Sequence, residues 1–137
     1  MRKTTFFALM ILVISLLTGC EAKITTDIRD SFVATYNVTE TWTENSKPMF
    51  KPAYTMSVVK SSQQSDMLLL NNFANYGAGV TAEATVSGLF LTIPQQTLTD
   101  LKGIIGVGKL TDPTLTLYYT ERYNNISIDI TATAIKQ

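Results

Sequence analysis

Few side chains in this 137-residue chain can do chemistry. Cysteine occurs once, at Cys20, and histidine is absent. The commonest general base and the commonest metal ligand are therefore both missing. Carboxylates remain, and two of them held about 5 to 10 Å apart suffice for glycoside hydrolysis. The candidates are Glu40, Glu83, Glu121 and Asp129. Glu83 and Asp129 fall on the polar side of alternating stretches, so a solvated face accounts for them. Gly103-Ile104-Ile105-Gly106-Val107-Gly108-Lys109 has the spacing of a phosphate-binding loop. That loop needs Ser or Thr next and a helix behind it. Here Leu110 follows, and Thr111-Asp112-Pro113 leads into another strand. A glycine-bent strand fits better. Zinc prefers His or Cys, and calcium needs clustered oxygen ligands that no Asp-x-Asp-x-Asp run supplies. No catalytic residue, no metal and no cofactor is expected.

The surroundings of Cys20 carry more information. Arg2 and Lys3 precede a run of twelve mostly apolar residues, Phe6 to Leu17, and small residues follow. These are the three parts of an export signal. A membrane-crossing helix needs about 20 apolar residues, more than this run supplies. Leu17-Thr18-Gly19-Cys20 resembles the lipobox of bacterial lipoprotein precursors. The resemblance implies cleavage between Gly19 and Cys20, a diacylglyceryl thioether on Cys20, and fatty chains such as palmitate. Two or more acyl chains hold a protein firmly on a membrane. In that family Asp after the cysteine often marks retention in the inner membrane. Glu21 stands there instead, which favours the outer membrane. The implied organisation is a signal peptide over 1–19, an acylated cysteine and polar tether over 20–30, and one domain over 31–137.

Removing residues 1–19 takes away two of eleven basic residues and none of the eleven acidic ones, leaving a net charge of −2. The lysines are scattered from Lys23 to Lys136. Nucleic acid, which demands a clustered basic surface, is excluded as a partner. With Cys20 acylated no internal disulfide can form, so stability rests on core packing and the sheet ladder.

From Ser31 onward the apolar period is two. Phe32, Ala34, Tyr36 and Val38 alternate with polar or small residues, as do Tyr54, Met56 and Val58. The same holds for Ala82, Ala84 and Val86, for Leu115, Leu117 and Tyr119, and for Ile126 to Ala134. Alternation puts one set of side chains on one sheet face. Threonine dominates the other face, as suits half-exposed strands. Three less regular strands join these at Met67–Phe73, Leu89–Ile93 and Gly103–Leu110, the last glycine-rich enough to bend or bulge. Turn residues separate the set at Lys47-Pro48 with Lys51-Pro52, Ser61–Asp66, Asn75–Gly79, Ser87-Gly88, Pro94–Asp100, Thr111–Pro113 and Tyr123–Asn125. Gln95–Lys102 has room for one helical turn at most. The sequence predicts an all-β domain, an antiparallel meander of about eight strands. It closes into an up-and-down barrel or, alternatively, splits into a β-sandwich.

The order of elements, the size and an aromatic first strand ending in Trp42 resemble the calycin group, which includes lipocalins. Lipocalins carry Gly-x-Trp there, where this chain has Glu40-Thr41-Trp42. Tyr36-Asn37-Val38-Thr39-Glu40-Thr41-Trp42 and Ile93-Pro94-Gln95-Gln96 also resemble small calycin-like lipoproteins of gut bacteria, from which no activity carries over. In phase with Val38, Glu40 and Trp42 continue the inward face. An inward carboxylate needs a partner or water. An open barrel mouth with Glu40, Trp42 and Tyr54 would supply both water and an aromatic wall, and Tyr36 joins these three as a candidate ligand-binding residue. Three functions follow as expectations. The first is a lipid-anchored module of the cell envelope that binds a small hydrophobic or amphipathic ligand. The second is a structural subunit that docks on an envelope protein complex or glycan, through an aromatic patch near Phe90, Tyr118 and Tyr123. The third, a carboxylate-based hydrolase, ranks last.

Overall fold

A computed structural model describes residues 25–99 and 102–137. The lipobox, the cleavage site and Cys20 lie outside the described residues. Eight antiparallel strands in sequence order close into a barrel. They are β1 (Ala34–Glu44), β2 (Lys47–Lys60), β3 (Met67–Asn71), β4 (Thr81–Ser87), β5 (Phe90–Thr99), β6 (Lys102–Thr111), β7 (Thr114–Tyr123) and β8 (Ile126–Lys136). Closure is completed by β1 against β8, from Tyr36↔Lys136 to Trp42↔Ile130. The sandwich alternative is thereby ruled out.

The alternating positions behave as their period requires. Tyr36, Val38, Met56, Val58, Leu115 and Leu117 are buried, while Thr35, Asn37, Thr39, Thr55 and Glu83 face out. A membrane-spanning barrel shows the reverse, apolar outside and polar within. Small residues balance large ones across the interior. Ala132 and Ala134 pair with Leu117 and Leu115. Gly106 and Gly108 on β6 leave space for Tyr119 and Leu117. A Cβ on Gly106 would stand 2.5 Å from Tyr119 Cβ and 2.7 Å from the Tyr118 carbonyl oxygen. Backbone cannot yield there as a side chain can. Gly106→Ala is therefore expected to lower stability by about 1–3 kcal/mol, read as a reduced urea midpoint. An unchanged midpoint would mean that β6 and β7 do not approach so closely.

Several boundaries differ from the sequence reading. Lys47-Pro48 and Lys51-Pro52 lie within β2, and the turn falls at Asn45-Ser46, both left-handed at φ 49° and 62°. Two consecutive left-handed residues make the primed turn that matches strand twist, and Asn tolerates that conformation. Pro52 sits where the β1–β2 register shifts between Val38↔Tyr54 and Glu40↔Lys51. Proline is accepted in a sheet at such bulges and at edges. Pro94 likewise does not end β5, which runs on to Thr99 through two register shifts. The bulges belong to β5, not to the glycine-rich β6, whose pairing with β7 is unbroken. No helical turn forms at the described positions of 95–102. β3 stops at Asn71, and Phe73 enters a 3-10 turn, Phe73–Asn75, held by left-handed Asn72, Ala74 and Asn75.

The two poles are built differently. At the pole where the described chain enters, a 3-10 turn, Ile28–Ser31, lies across the end. Phe32, expected to start the first strand, instead plugs this pole and is fully buried. Asp27, within the stretch read as a tether, caps the turn by accepting from the Arg29 amide at 3.0 Å. Arg29 donates to the carbonyls of Ser61 (3.2 Å) and Gln64 (2.8 Å), and its guanidinium grips Asp27 at 2.7 Å. That hydrogen bond holds the Asp27 carboxyl well below the usual carboxylate range. From Asp27 onward the chain is thus docked on the barrel. The opposite pole is flanked by two long hairpins, β1–β2 and β7–β8, and partly covered by Phe73–Tyr76.

Candidate functional site

Burying one carboxylate in an apolar barrel requires donors for it. Glu40 is the buried charged residue of the core, with no exposed area. Strand period alone points it inward, two residues beyond Val38. Its Oε1 accepts from the hydroxyls of Tyr54 and Tyr119, the latter at 2.8 Å. Its Oε2 lies 3.0 Å from Lys51 Nζ. This last contact is a charge pair rather than an aligned hydrogen bond, because among the described residues no donor meets Oε2 in hydrogen-bond geometry. The Lys51 ammonium directs its aligned hydrogen bond to the Ala74 carbonyl at 2.7 Å. That carbonyl is presented by the left-handed backbone of Ala74 (φ 54°). Burial, then the Glu40 charge, pushes the Tyr54 and Tyr119 hydroxyls far above their ordinary value. Both stay protonated and serve as donors.

A second charged pair stands at the rim. Lys102 Nζ is 3.0 Å from Glu121 Oε1 and 3.3 Å from the Tyr76 hydroxyl. Its ammonium lies 4.5 Å from the Tyr76 ring centroid, and Lys51 approaches the same ring at 5.4 Å. Cations over a tyrosine face are held by its quadrupole. Trp42, Ile128 and Ile130 face these groups across a cavity of about 190 Å³ that Lys51, Lys102 and Glu121 complete. The mouth is an apolar wall opposite two ammonium groups and one carboxylate. Phe73 closes it from beneath, its ring 4.9 Å from that of Tyr119 and tilted by 60°.

Of the four candidate ligand-binding residues, Glu40, Trp42 and Tyr54, the three expected at the mouth, come together at this pole. Tyr36 does not. It lies fully buried toward the opposite pole and donates to the Phe32 carbonyl at 2.8 Å. Burial, with the Asp112 charge, raises its hydroxyl to about 12. Glu40 sits deeper than an open mouth would place it, covered by Phe73 and Ala74. Among the four carboxylates weighed for hydrolysis, Glu40 and Glu121 reach this end, each against a lysine. Glu83 and Asp129 are exposed on the outer wall. Lys51, Lys102 and Tyr76 were not singled out from the sequence. Lys51 looked like part of a proline turn. Its signal would have been position, since with the turn at Asn45-Ser46 it falls opposite Glu40.

No protein-family model matches the chain, and no curated protein matches it. Among solved structures it is similar to a "putative outer membrane protein" of Bacteroides fragilis NCTC 9343. The identity is 18%, the TM-score 0.50, and the match covers 81% of this chain and 53% of the other. The chain thus spans about half the length of that protein. Likeness at this identity is a likeness of fold.

Proposed function

We propose that this protein is a lipid-anchored, non-catalytic binding module of the cell envelope that receives a small amphipathic ligand at one end of a filled barrel. The observation that carries the reading is the mouth at the far pole, where Trp42, Ile128 and Ile130 oppose Lys51, Lys102 and Glu121. The interior holds no whole ligand, because Tyr36, Met56, Leu68, Leu91, Leu115 and Leu117 fill it. At about 190 Å³ the mouth is smaller than pockets that engulf a ligand, roughly 300 to 1,000 Å³. It suits one end of a molecule, an apolar group against Trp42 with an anionic or polar group on the ammoniums.

Acylation of Cys20 after removal of residues 1–19 supplies the anchor in this reading. An interior filled with apolar side chains, where a membrane-spanning barrel is polar, supports attachment by lipid rather than by the barrel itself. Glu21 supports the outer membrane, and so does the fold shared with the Bacteroides protein described as a "putative outer membrane protein". Since the chain enters at the opposite pole, the mouth would point away from the membrane. Eleven residues of β1 at about 3.3 Å each, tilted about 40°, set the two poles roughly 25–30 Å apart.

Native mass spectrometry of protein gently extracted from the envelope should show an added small-molecule mass. Trp42, the single tryptophan, should change its fluorescence when that molecule is restored. Lys102→Ala should weaken the complex by about tenfold, the value of one charge-assisted hydrogen bond. An unliganded mass, with no Trp42 response across acyl, isoprenoid and glycan ligands, would overturn the reading.

A further inference from the structure

Exposed apolar side chains gather at the pole where the described chain enters. Ile28, Val33, Leu89, Phe90 and Ile135 are all exposed there. Ile28 lies on the 3-10 turn across this end, and the other four stand within two residues of a strand end. At about 3.3 Å per residue and a tilt of about 40°, two residues amount to roughly 5 Å of height. The five therefore belong to one rim. Its most prominent part is the β4–β5 hairpin, closed by Ser87↔Phe90 with Gly88 left-handed at φ 59°. Two-residue turns favour Asn, Asp and Gly, and Asn45-Ser46 and Asn124-Asn125 on the far pole are polar. Here Leu89 holds the tip and Phe90 follows, 48% and 57% exposed. Lys109 pairs directly with Phe90, its ammonium 5.7 Å from the ring centroid. Among the described residues no carboxylate pairs with Lys109. The other cations of this pole are engaged, Arg29 and Lys60 by Asp27 and Asp30, and Lys136 by Asp112. A hollow of about 470 Å³ opens between Leu89, Lys109, Leu110 and Lys136.

We infer that this pole is a membrane-contact surface, on which Leu89 and Phe90 enter the head-group region of the bilayer and Lys109 meets a lipid phosphate. The inference rests on the acylation of Cys20 proposed above. Six residues, Glu21 to Thr26, separate Cys20 from the docked Asp27. That stretch spans at most roughly 25 Å. The lipid surface is thus always within reach of this pole, and the far pole, with Phe50 and Ile126, stands a barrel's height further off. Tethering gives the surface a high effective concentration, so a contact too weak to bind alone is populated. Amphipathic elements lie about 5–10 Å deep in the head-group boundary, enough to cover this rim. Side-chain charge does not oppose the approach. Arg29, Lys60, Lys109 and Lys136 balance Asp27, Asp30, Asp66 and Asp112. A tether about as long as the barrel leaves it free to tip, and contact at the rim would hold it upright with its mouth outward.

The test places the full acylated protein in vesicles of phosphatidylethanolamine and phosphatidylglycerol. With Cys20 acylated, an introduced cysteine is the sole thiol, and a nitroxide attached to it reports depth. The Leu89→Cys label should be reached by oxygen, which concentrates in bilayers, and lose access to a water-soluble nickel chelate. The Lys47→Cys label, beside the far turn, should stay open to nickel. A Ser87→Cys label should be shielded from nickel, and Leu89→Asp with Phe90→Asp should open it while the vesicles retain the protein. Lys109→Glu should shift the Leu89→Cys label toward water. Nickel access at Leu89→Cys equal to that at Lys47→Cys, in protein that floats with the vesicles, overturns the contact and leaves the anchor standing. A Ser87→Cys label that stays shielded in the double aspartate variant does the same. Shielding of Leu89→Cys from oxygen and nickel together also overturns it, by putting a protein on the pole, a second copy included. An unmodified mass at Cys20 removes the anchor and the contact with it.

Discussion

Replacing Glu40 with alanine is expected to lower the free energy of unfolding by about 3–5 kcal/mol, the cost of removing one member of a buried ion pair. Three losses contribute. Tyr54 and Tyr119 keep buried hydroxyls with no acceptor, at about 1–3 kcal/mol each. Lys51 keeps its charge without a counter-ion. Its side chain is 26% exposed, so water relieves part of that cost and the lower half of the range applies. The vacated space adds a small cavity under Phe73. Urea unfolding at neutral pH reads the sum. The informative companion replaces the whole assembly, Glu40→Leu with Lys51→Met, Tyr54→Phe and Tyr119→Phe. A buried pair exchanged for apolar groups of similar volume is often near neutral. A loss below about 1 kcal/mol for Glu40→Ala alone would show that the carboxylate is not buried among those donors.

Alkali should unfold the protein steeply. Tyr36, Tyr54 and Tyr119 are 0%, 8% and 3% exposed, and all three hydroxyls are raised above the ordinary value near 10. Above pH 10 the unfolded chain releases these protons and the folded one keeps them. The unfolded state then binds fewer protons, so stability falls as pH rises. Below pH 10 the contribution is complete. Each retained proton is worth about 1.4 kcal/mol per pH unit, and three of them give about 4 kcal/mol per unit. The window for all three runs from pH 10 to about 12, where Tyr36 begins to titrate in the folded state. Urea midpoints at pH 9, 10 and 11 measure the slope. Tyr54→Phe should be less stable than the parent at pH 8, by about 1.5–3 kcal/mol for a bond to a charged acceptor. Its alkaline slope should be shallower by one proton. Parallel slopes would mean that Tyr54 is already ionised, or exposed, in the folded protein.

Much of the fold was legible because its signal is local. A period of two over Tyr36–Glu40, Leu115–Tyr119 and Ile130–Ala134 sorts inside from outside, and nothing else in the chain competes with it. Proline misled where tertiary context decides. Pro48 and Pro52 read as a turn, yet one stands on a free edge and the other at a bulge, places visible only once neighbouring strands are set. Pro94 was misread for the same reason. Glu40 and Trp42 were found by phase alone. Their partners were not: Lys51, 11 residues away, meets Glu40 only once the β1–β2 turn is set at Asn45-Ser46, and Tyr119, 79 residues away, only once the barrel closes. Tyr36 shows the converse error. It shares a face with Glu40 but not a pole, since four residues along a strand separate them by about 13 Å.

The proposed location and orientation both rest on acylation of Cys20. The direct measurement compares the parent with Cys20→Ser in cells fed labelled palmitate, followed by separation of membrane and soluble fractions. Label in the parent, none in the variant, and loss of the variant from the washed membrane are the expected results. Equal labelling of the two, or labelling of neither, would contradict a lipid anchor at that residue.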